Sequence, residues 1–321
     1  MIKYLQFFAF TIISIFINPL FSQAQVPNGP GGVGSTNGAS DLVLWLDADR
    51  GNNTNTKWTD QSGRGFDFRE GNGAAFQANS VNGYSTYNFD GETNYFQKPF
   101  EQELNPDEFS VFTASKVKIN DDYQAVISSR NEYYEFPNFN KKGFVLYSSI
   151  NSNHWLYWTG SGSDWRVYNV VWHHTNSNIS TLNQWSIQNI NYKHSGRNNT
   201  SLFVDSDYSV KTSHPMVAVT SDKPAPFRIG AGANEGAARY HFKGDIGEVI
   251  MYKSAINEAQ RIIIDNYLSA KYNIPLAENN YYTHDDGNKV FDHHVAGIGK
   301  TTGSNVHNDS KGTGIVRMKS P

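Results

Sequence analysis

Short apolar runs alternate with turn-forming residues along most of the chain. Between residues 41 and 252, segments dense in β-branched and aromatic residues recur between clusters of Gly, Asn, Asp and Ser. Runs of this length and spacing are typical of strands in a sandwich or jelly roll. The sequence therefore predicts an all-β protein with strands near residues 42–46, 87–89, 109–119, 125–129, 143–147, 155–158, 185–192, 201–204, 227–229 and 246–252.

One segment near the C-terminus has a helical period instead. Asn257 lies three residues before Gln260, which is the spacing of a capping box. Apolar residues then recur at helical intervals, at Ile262, Ile263, Tyr267 and Leu268, until Pro275 ends the pattern. We predict a single helix over Glu258–Tyr272 that packs Ile263 and Tyr267 on the sandwich.

The N-terminus has the pattern of an export signal. Lys3 precedes an apolar run over residues 4–17, and a small-x-small cleavage site ends at Ala24. The alternative, a transmembrane anchor, needs about 20 apolar residues, which is more than this run offers. We expect residues 1–24 to be a signal peptide and residues 25–40, rich in Gly, Pro, Asn and Ser, to be a flexible lead-in. The mature protein is then extracellular or on the bacterial cell surface, with no transmembrane segment.

Charge and cysteine content exclude several classes of function. The chain has 27 Lys and Arg residues against 30 Asp and Glu residues, so it has no basic surplus for a nucleic-acid backbone. It contains no cysteine, which excludes disulfides, thiolate zinc sites and cysteine nucleophiles. Packing or bound ions must supply the stability that disulfides give many exported proteins.

Several motifs, in a fixed order, resemble one protein family. They are LWLDAD at 44–49, WTDQSG at 58–63, NFDG at 88–91, FKGDIGEVIMY at 242–252, YLSAKYNI at 267–274 and VAGIGK at 295–300. This set is similar to the concanavalin A-like, laminin-G-type (LamG) lectin/glucanase modules of exported Bacteroidetes surface and adhesin-like proteins. The resemblance implies a jelly-roll domain over residues 41–275 and the start of a small, truncated module over residues 276–321.

The resemblance also implies a function and an ion. Such modules bind extracellular polysaccharide or cell-surface glycan as lectins, without catalysis, in adhesin-type proteins, and many hold calcium through loop oxygens. The calcium ligands implied here are Asp60, Asn88, Asp90 and Asp245. The alternative for Asp60 and Asp90 is turn chemistry, because Asp side chains accept backbone N–H bonds beside a glycine.

An aromatic cluster supplies the candidate glycan-binding residues. A sugar site needs flat apolar faces and a few fixed polar groups, and residues 151–174 offer both. The candidates are Trp155, Tyr157, Trp158, Trp165, Tyr168 and Trp172. Alternation along a strand puts Trp155 and Tyr157 on one face and Trp158 on the other, so the alternative is that one set fills the core.

Two other functions remain open from the sequence. A structural or adhesive spacer, in contact only with neighbouring modules, would bury these aromatic residues and bind nothing small. A glycoside hydrolase or lyase would need two carboxylates that converge on one bond. Asp245 and Glu248, three residues apart, face opposite sides of a strand unless a bulge intervenes.

Overall fold

Two antiparallel sheets face each other in the computed structural model, which confirms the predicted all-β sandwich with one helix. The structure describes residues 26–118, 123–136, 138–148, 154–164, 172–197, 199–234, 236–282, 295–312 and 316–320. The predicted signal peptide therefore lies outside the described residues. In the described ranges, no helix has the length and apolar character needed to cross a membrane.

The first sheet carries the helix on its outer face. As far as the chain is described, it has eight strands, and Lys243–Tyr252 lies at its centre. In spatial order the strands are Asp207–Thr212, Thr200–Val204, Trp185–Tyr192, Phe109–Val117, Lys243–Tyr252, Tyr84–Asp90 and Ala75–Val81, with Leu42–Asp47 paired to the second half of Lys243–Tyr252.

The second sheet has seven strands among the described residues. In spatial order they are Trp172–Ser180, His154–Gly160, Phe144–Ser148, Gln124–Ser128, Phe227–Ile229, Tyr95–Lys98 and Glu70–Gly73. A three-stranded sheet and a hairpin are attached beside it, formed by Asn131–Glu135, Asn138–Lys142 and Gly162–Asp164, and by Gly232–Asn234 and Ala237–Arg239. Short pairs near the C-terminus join Gly299–Lys300 to Val306–His307 and Asp309–Ser310 to Met318–Lys319.

Aromatic side chains fill the space between the two sheets. Trp58, Tyr87 and Phe96 contact one another there, with ring centroids 4.6–5.8 Å apart. Along each strand, every second side chain points into this core, because successive side chains of a strand lie on opposite faces of the sheet. Trp58 lies outside the named strands, and its side chain is fully buried in this core.

The helix Glu258–Tyr272 has the predicted boundaries. Asn257 and Gln260 form both hydrogen bonds of the capping box, and Asn273 ends the helix in the left-handed region at φ 51°. Ile264 and Leu268 are fully buried against the first sheet. Ile263, which we expected on the sandwich, is half-buried and lies beside Gly31 and Gly297 of the terminal segments.

The lead-in differs from the expected flexible segment. Residues 29–33 are buried, and Tyr252 donates a hydrogen bond to the Val33 carbonyl at 3.0 Å. The C-terminal segment packs on the lead-in, since the Lys311 N–H donates to the Pro27 carbonyl at 2.9 Å. Gly32 has a φ of 82°, and an added Cβ would lie 1.8 Å from Ser310 Oγ, so glycine is required at this contact. Composition alone did not reveal this packing.

Candidate functional site

The strand His154–Gly160 divides the aromatic candidates between its two faces. Trp155 and Tyr157 are at most 1% exposed and belong to the core, where Trp155 Nε1 donates to Thr181 Oγ1 at 2.7 Å. Trp158 points to the opposite face and is half-buried. The two rings in the core are therefore closed to a ligand, which corrects the expectation for Trp155 and Tyr157.

The remaining aromatic candidates are not described in full. Trp165 and Tyr168 lie outside the described residues, and for Trp172 only the backbone of the strand Trp172–Ser180 is described. Their part in glycan binding stays a prediction.

Trp158 belongs to a cluster of four rings on the outer face of the second sheet. This outer aromatic cluster consists of Tyr123, Tyr147, Trp158 and Tyr240. Tyr123 lies 5.2 Å from Trp158 and 5.4 Å from Tyr147, between ring centroids. Tyr240 lies 5.6 Å from Tyr147 and 6.2 Å from Tyr123. Tyr147 is buried, whereas the other three residues are half-buried.

The buried side chain of Arg130 contacts three rings of the outer aromatic cluster. Arg130 Nη1 donates to the Tyr147 hydroxyl at 2.9 Å, and Arg130 also forms an ion pair with Glu132. Its guanidinium lies 5.9 Å from the Trp158 ring centroid and 5.5 Å from that of Tyr240. Burial raises the pKa of Tyr147, so its hydroxyl stays protonated at neutral pH. These contacts fix the rings in place.

Tyr240 has an unusual backbone conformation. Its φ is 58°, in the left-handed region that bulky side chains rarely adopt. The Ala125 N–H donates to the Tyr240 carbonyl at 2.8 Å and so ties this residue to the second sheet. Strained residues of this kind concentrate at ligand-binding and catalytic sites. Sequence periodicity gives no sign of Tyr240, because it follows a hairpin rather than a patterned strand.

A polar cavity of about 500 Å³ opens beside the outer aromatic cluster. Its lining includes Tyr123, Gln124, Arg239, Tyr240, His241 and Lys243. Its volume lies in the range of small-molecule sites, roughly 300–1,000 Å³. Ring faces, cationic groups and an amide thus converge on one concave surface.

Asp60 serves as the centre of a turn. Its Oδ1 accepts the Trp45 and Ser62 N–H groups at 3.0 and 2.9 Å, and its Oδ2 accepts the Phe66 N–H at 3.0 Å and the Ser62 hydroxyl at 2.7 Å. The contacts of Asp60 are therefore those expected of a turn residue, which was the alternative to calcium binding.

Asp90 has the same kind of role. Its Oδ1 accepts the N–H groups of Glu92, Thr93 and Asn94, each at 2.9 Å. Although burial opposes the shift, these backbone donors hold the pKa of Asp90 well below its usual range. Asp90 also lines the cavity beside the outer aromatic cluster.

The other two expected calcium ligands contact each other. Asp245 Oδ1 accepts the Asn88 side-chain amide at 2.6 Å and Lys118 Nζ at 2.9 Å. Within the described ranges, no three His, Cys, Asp or Glu side chains are grouped so that they could hold a metal ion. Calcium binding therefore stays a prediction from the family resemblance.

Glu248 lies at the centre of a polar network beneath the helix. Its carboxylate accepts Trp45 Nε1 at 2.6 Å, the Tyr267 hydroxyl at 2.9 Å and the Tyr272 hydroxyl at 3.1 Å. Lys271 Nζ donates to it at 2.7 Å. Residues of three of the sequence motifs thus meet at one buried carboxylate.

A bulge changes the expected direction of Asp245. The register of Lys243–Tyr252 shifts between Ile246 and Glu248, so that Ile246 enters the core while Asp245 and Glu248 both face away from it. The opposite-face prediction was conditional on a regular strand, and the bulge at Gly247 removes that condition. Glu248 is nevertheless fully buried under the helix, so the pair has no open cleft for a polysaccharide.

The comparisons with known proteins give distant structural matches only. No protein-family model matches the chain, and no curated protein sequence matches it. Domain 4 of AbnA, a GH43 extracellular arabinanase from Geobacillus stearothermophilus solved with arabinotriose, is 16% identical with a TM-score of 0.48, over 70% of this chain and 97% of that one.

Two further solved structures are similarly distant. Trypanosoma rangeli sialidase in complex with sialic acid is 15% identical with a TM-score of 0.47, over 80% of this chain, which spans 37% of the sialidase chain. The CBM40 domain of the Ruminococcus gnavus IT-sialidase, bound to α2,3-sialyllactose, is 12% identical with a TM-score of 0.39, over 48% of this chain and 79% of that one. The likeness concerns the two-sheet sandwich.

Proposed function

We propose that this protein is a carbohydrate-binding module that holds an extracellular polysaccharide or a cell-surface glycan without catalysis. The proposed site is the outer aromatic cluster together with the cavity beside it. The observation that carries the proposal is the strained, half-exposed Tyr240, which borders both. The predicted signal peptide supports a place for this activity outside the cell, where such ligands occur.

The chemistry of the site fits a sugar ligand. Pyranose rings present apolar C–H faces that pack on aromatic rings, and hydroxyl groups that need fixed donors and acceptors. Tyr123 and Tyr240 supply half-buried rings at the cavity wall, with the half-buried Trp158 beside them, while Arg239, His241 and Lys243 supply donors there. Arg130 holds the rings in place before a ligand arrives, which lowers the entropy lost on binding.

A polysaccharide panel with matched variants tests the proposal. Native protein should be retained by at least one insoluble or immobilised glycan, and Trp158→Ala should weaken that binding about tenfold or more, equivalent to about 1.4 kcal/mol. Tyr281→Ala is the matched control, because Tyr281 is an exposed aromatic residue that belongs neither to the outer aromatic cluster nor to the cavity lining. Thermal unfolding of each variant shows that it is folded.

Two outcomes would contradict the proposal. Retention of the native protein by no glycan would favour the structural spacer, which the burial of Trp155 and Tyr157 already fits. Equal binding by Trp158→Ala and native protein would place any glycan site elsewhere on the molecule.

A further inference from the structure

Three ionisable side chains meet in the buried space beneath the helix. Lys271 Nζ lies 2.6 Å from Asp47 Oδ2 and 2.7 Å from Glu248 Oε2. The three side chains are at most 3% exposed. Lys271 belongs to the last turn of the helix, whereas Asp47 ends the strand Leu42–Asp47 and Glu248 lies on the neighbouring strand.

The two carboxylates hold Lys271 in different ways. Glu248 accepts aligned hydrogen bonds from Lys271 and from three aromatic side chains. Asp47 Oδ2, in contrast, is buried and accepts no hydrogen bond of normal geometry within the described structure, although Lys271 Nζ is 2.6 Å away. The Lys271 amine thus donates its hydrogen bond to Glu248 and lies in close contact with the carboxyl group of Asp47.

Aromatic rings enclose the three groups. Lys271 Nζ lies 5.3, 5.7 and 5.2 Å from the ring centroids of Tyr84, Tyr267 and Tyr272. Burial raises the pKa of Glu248, although Lys271 opposes this shift. Charges are costly in such surroundings, so conversion of a buried ammonium and carboxylate into a neutral amide removes an unfavourable desolvation term.

We propose that Lys271 and Asp47 form an intramolecular isopeptide bond, with Glu248 as the group that carries the protons. Glu248 accepts a proton from the Lys271 ammonium group, and the neutral amine attacks Cγ of Asp47. A bond forms between Nζ and Cγ, and Glu248 passes two protons in turn to one oxygen of Asp47, the first taken from the ammonium group and the second from Nζ after the attack. The Cγ–O bond of that oxygen then breaks, and the oxygen leaves as water. An ammonium and a carboxylate thus become one amide and one water molecule, and no oxidant or cofactor takes part.

The proposed bond would join the end of the helix to the first strand of the sandwich. A covalent link between positions so far apart in sequence restricts the unfolded chain, as a disulfide does. This chain has no cysteine and cannot form disulfides. Arg50 Nε lies 3.0 Å from Asp47 Oδ2 at the edge of the buried space and places a positive charge beside the reacting carboxyl group.

Mass spectrometry of the native chain tests the bond directly. The intact protein should be lighter than its sequence mass by one water molecule, and a protease digest should contain one branched peptide that joins Lys271 to Asp47. A succinimide at an Asp residue also loses water, but it leaves the two peptides separate. Native protein with the full sequence mass, or with the Lys271 and Asp47 peptides unlinked, overturns the proposal.

Variants assign the roles of the three residues. Lys271→Arg and Glu248→Gln should both restore the full mass, the first because the nucleophile is lost and the second because the proton carrier is lost. Asp265→Asn is the control, since Asp265 is also fully buried in an ion pair, with Arg261, but lies outside the three-residue group. It should keep the loss of one water. A Glu248→Gln protein that still carries the bond would overturn the role given to Glu248.

Discussion

At the scale of single residues, Tyr240 combines a backbone strain with a place at the proposed sugar site. Its φ of 58° suits glycine or asparagine, yet the position holds a tyrosine whose ring contacts Tyr123 and Tyr147. Such a conformation costs about 1–3 kcal/mol in a bulky residue. The contacts of the ring with Tyr123, Tyr147 and Arg130 offset part of this cost.

The variant Tyr240→Gly tests whether the Tyr240 ring is needed for glycan binding rather than for the stability of the fold. We expect the free energy of unfolding to change by less than about 1 kcal/mol, because relief of the backbone strain opposes the loss of ring contacts. Glycan affinity should fall about tenfold or more, since the ring is gone. Urea unfolding and affinity measurements on the same preparation check both. Unchanged affinity for the glycan would remove Tyr240 from the proposed site.

At the scale of elements, the helix Glu258–Tyr272 covers the outer face of the first sheet. Its buried side combines apolar residues such as Ile264 and Leu268 with Tyr267 and Lys271, which contact Glu248. The polar network and the apolar contacts thus lie on the same helical face. The helix is therefore an integral layer of the fold, and the proposed isopeptide bond would lie within that layer.

Leu268→Ala tests this packing. Removal of a fully buried leucine should lower the free energy of unfolding by about 2–5 kcal/mol. Ile263→Ala is the matched control on the same helix, and because Ile263 is half-buried it should cost less. Denaturant unfolding of both variants gives the comparison. If Leu268→Ala costs no more than Ile263→Ala, the helix does not depend on its contact with the sheet.

At the scale of the whole molecule, one half-buried and one fully buried carboxyl group couple stability to pH. Burial raises the pKa of Asp205 to about 7, and the nearby Asp265 adds to this shift, although the Ile187 N–H opposes it. Burial raises the pKa of Asp265 to about 6, against the effect of Arg261. An unfolded Asp titrates near 4, so between pH 4 and pH 7 the folded state binds more protons. These two groups therefore make the protein less stable as pH rises through that range.

Asp205→Asn should weaken this dependence. Asn can still accept the Ile187 N–H, which lies 2.7 Å from Asp205 Oδ1, and it suits the φ of 51° at this position. We expect the fall in unfolding free energy between pH 5 and pH 7.5 to become shallower by up to about 1.4 kcal/mol per pH unit. Denaturant unfolding at several pH values measures the slope. Parallel slopes for native and variant protein would contradict the assignment.

Local rules determined much of this protein from sequence alone. The ten predicted strands, the ends of the helix and the opposite directions of Trp155 and Trp158 follow from period-two alternation and from the Asn257 cap, which depend on a residue and its near neighbours. Other strands, such as Ala75–Val81 and Trp172–Ser180, were not predicted. The same rules raised the possibility of turn chemistry at Asp60 and Asp90, whose contacts are of that kind.

Only the tertiary structure decided which distant residues meet. Tyr123, Tyr147, Trp158 and Tyr240 come from four separate segments, and sheet order brings them to one face. In the same way Asp47, Glu248 and Lys271 converge because the bulge at Gly247 and the docked helix place them together. A sequence pattern records the face on which a side chain lies, because that is a local property. The partner across the sheet depends on how the whole chain is folded. This is why, among the described candidates of residues 155–172, Trp158 joins the outer aromatic cluster while Trp155 and Tyr157 fill the core.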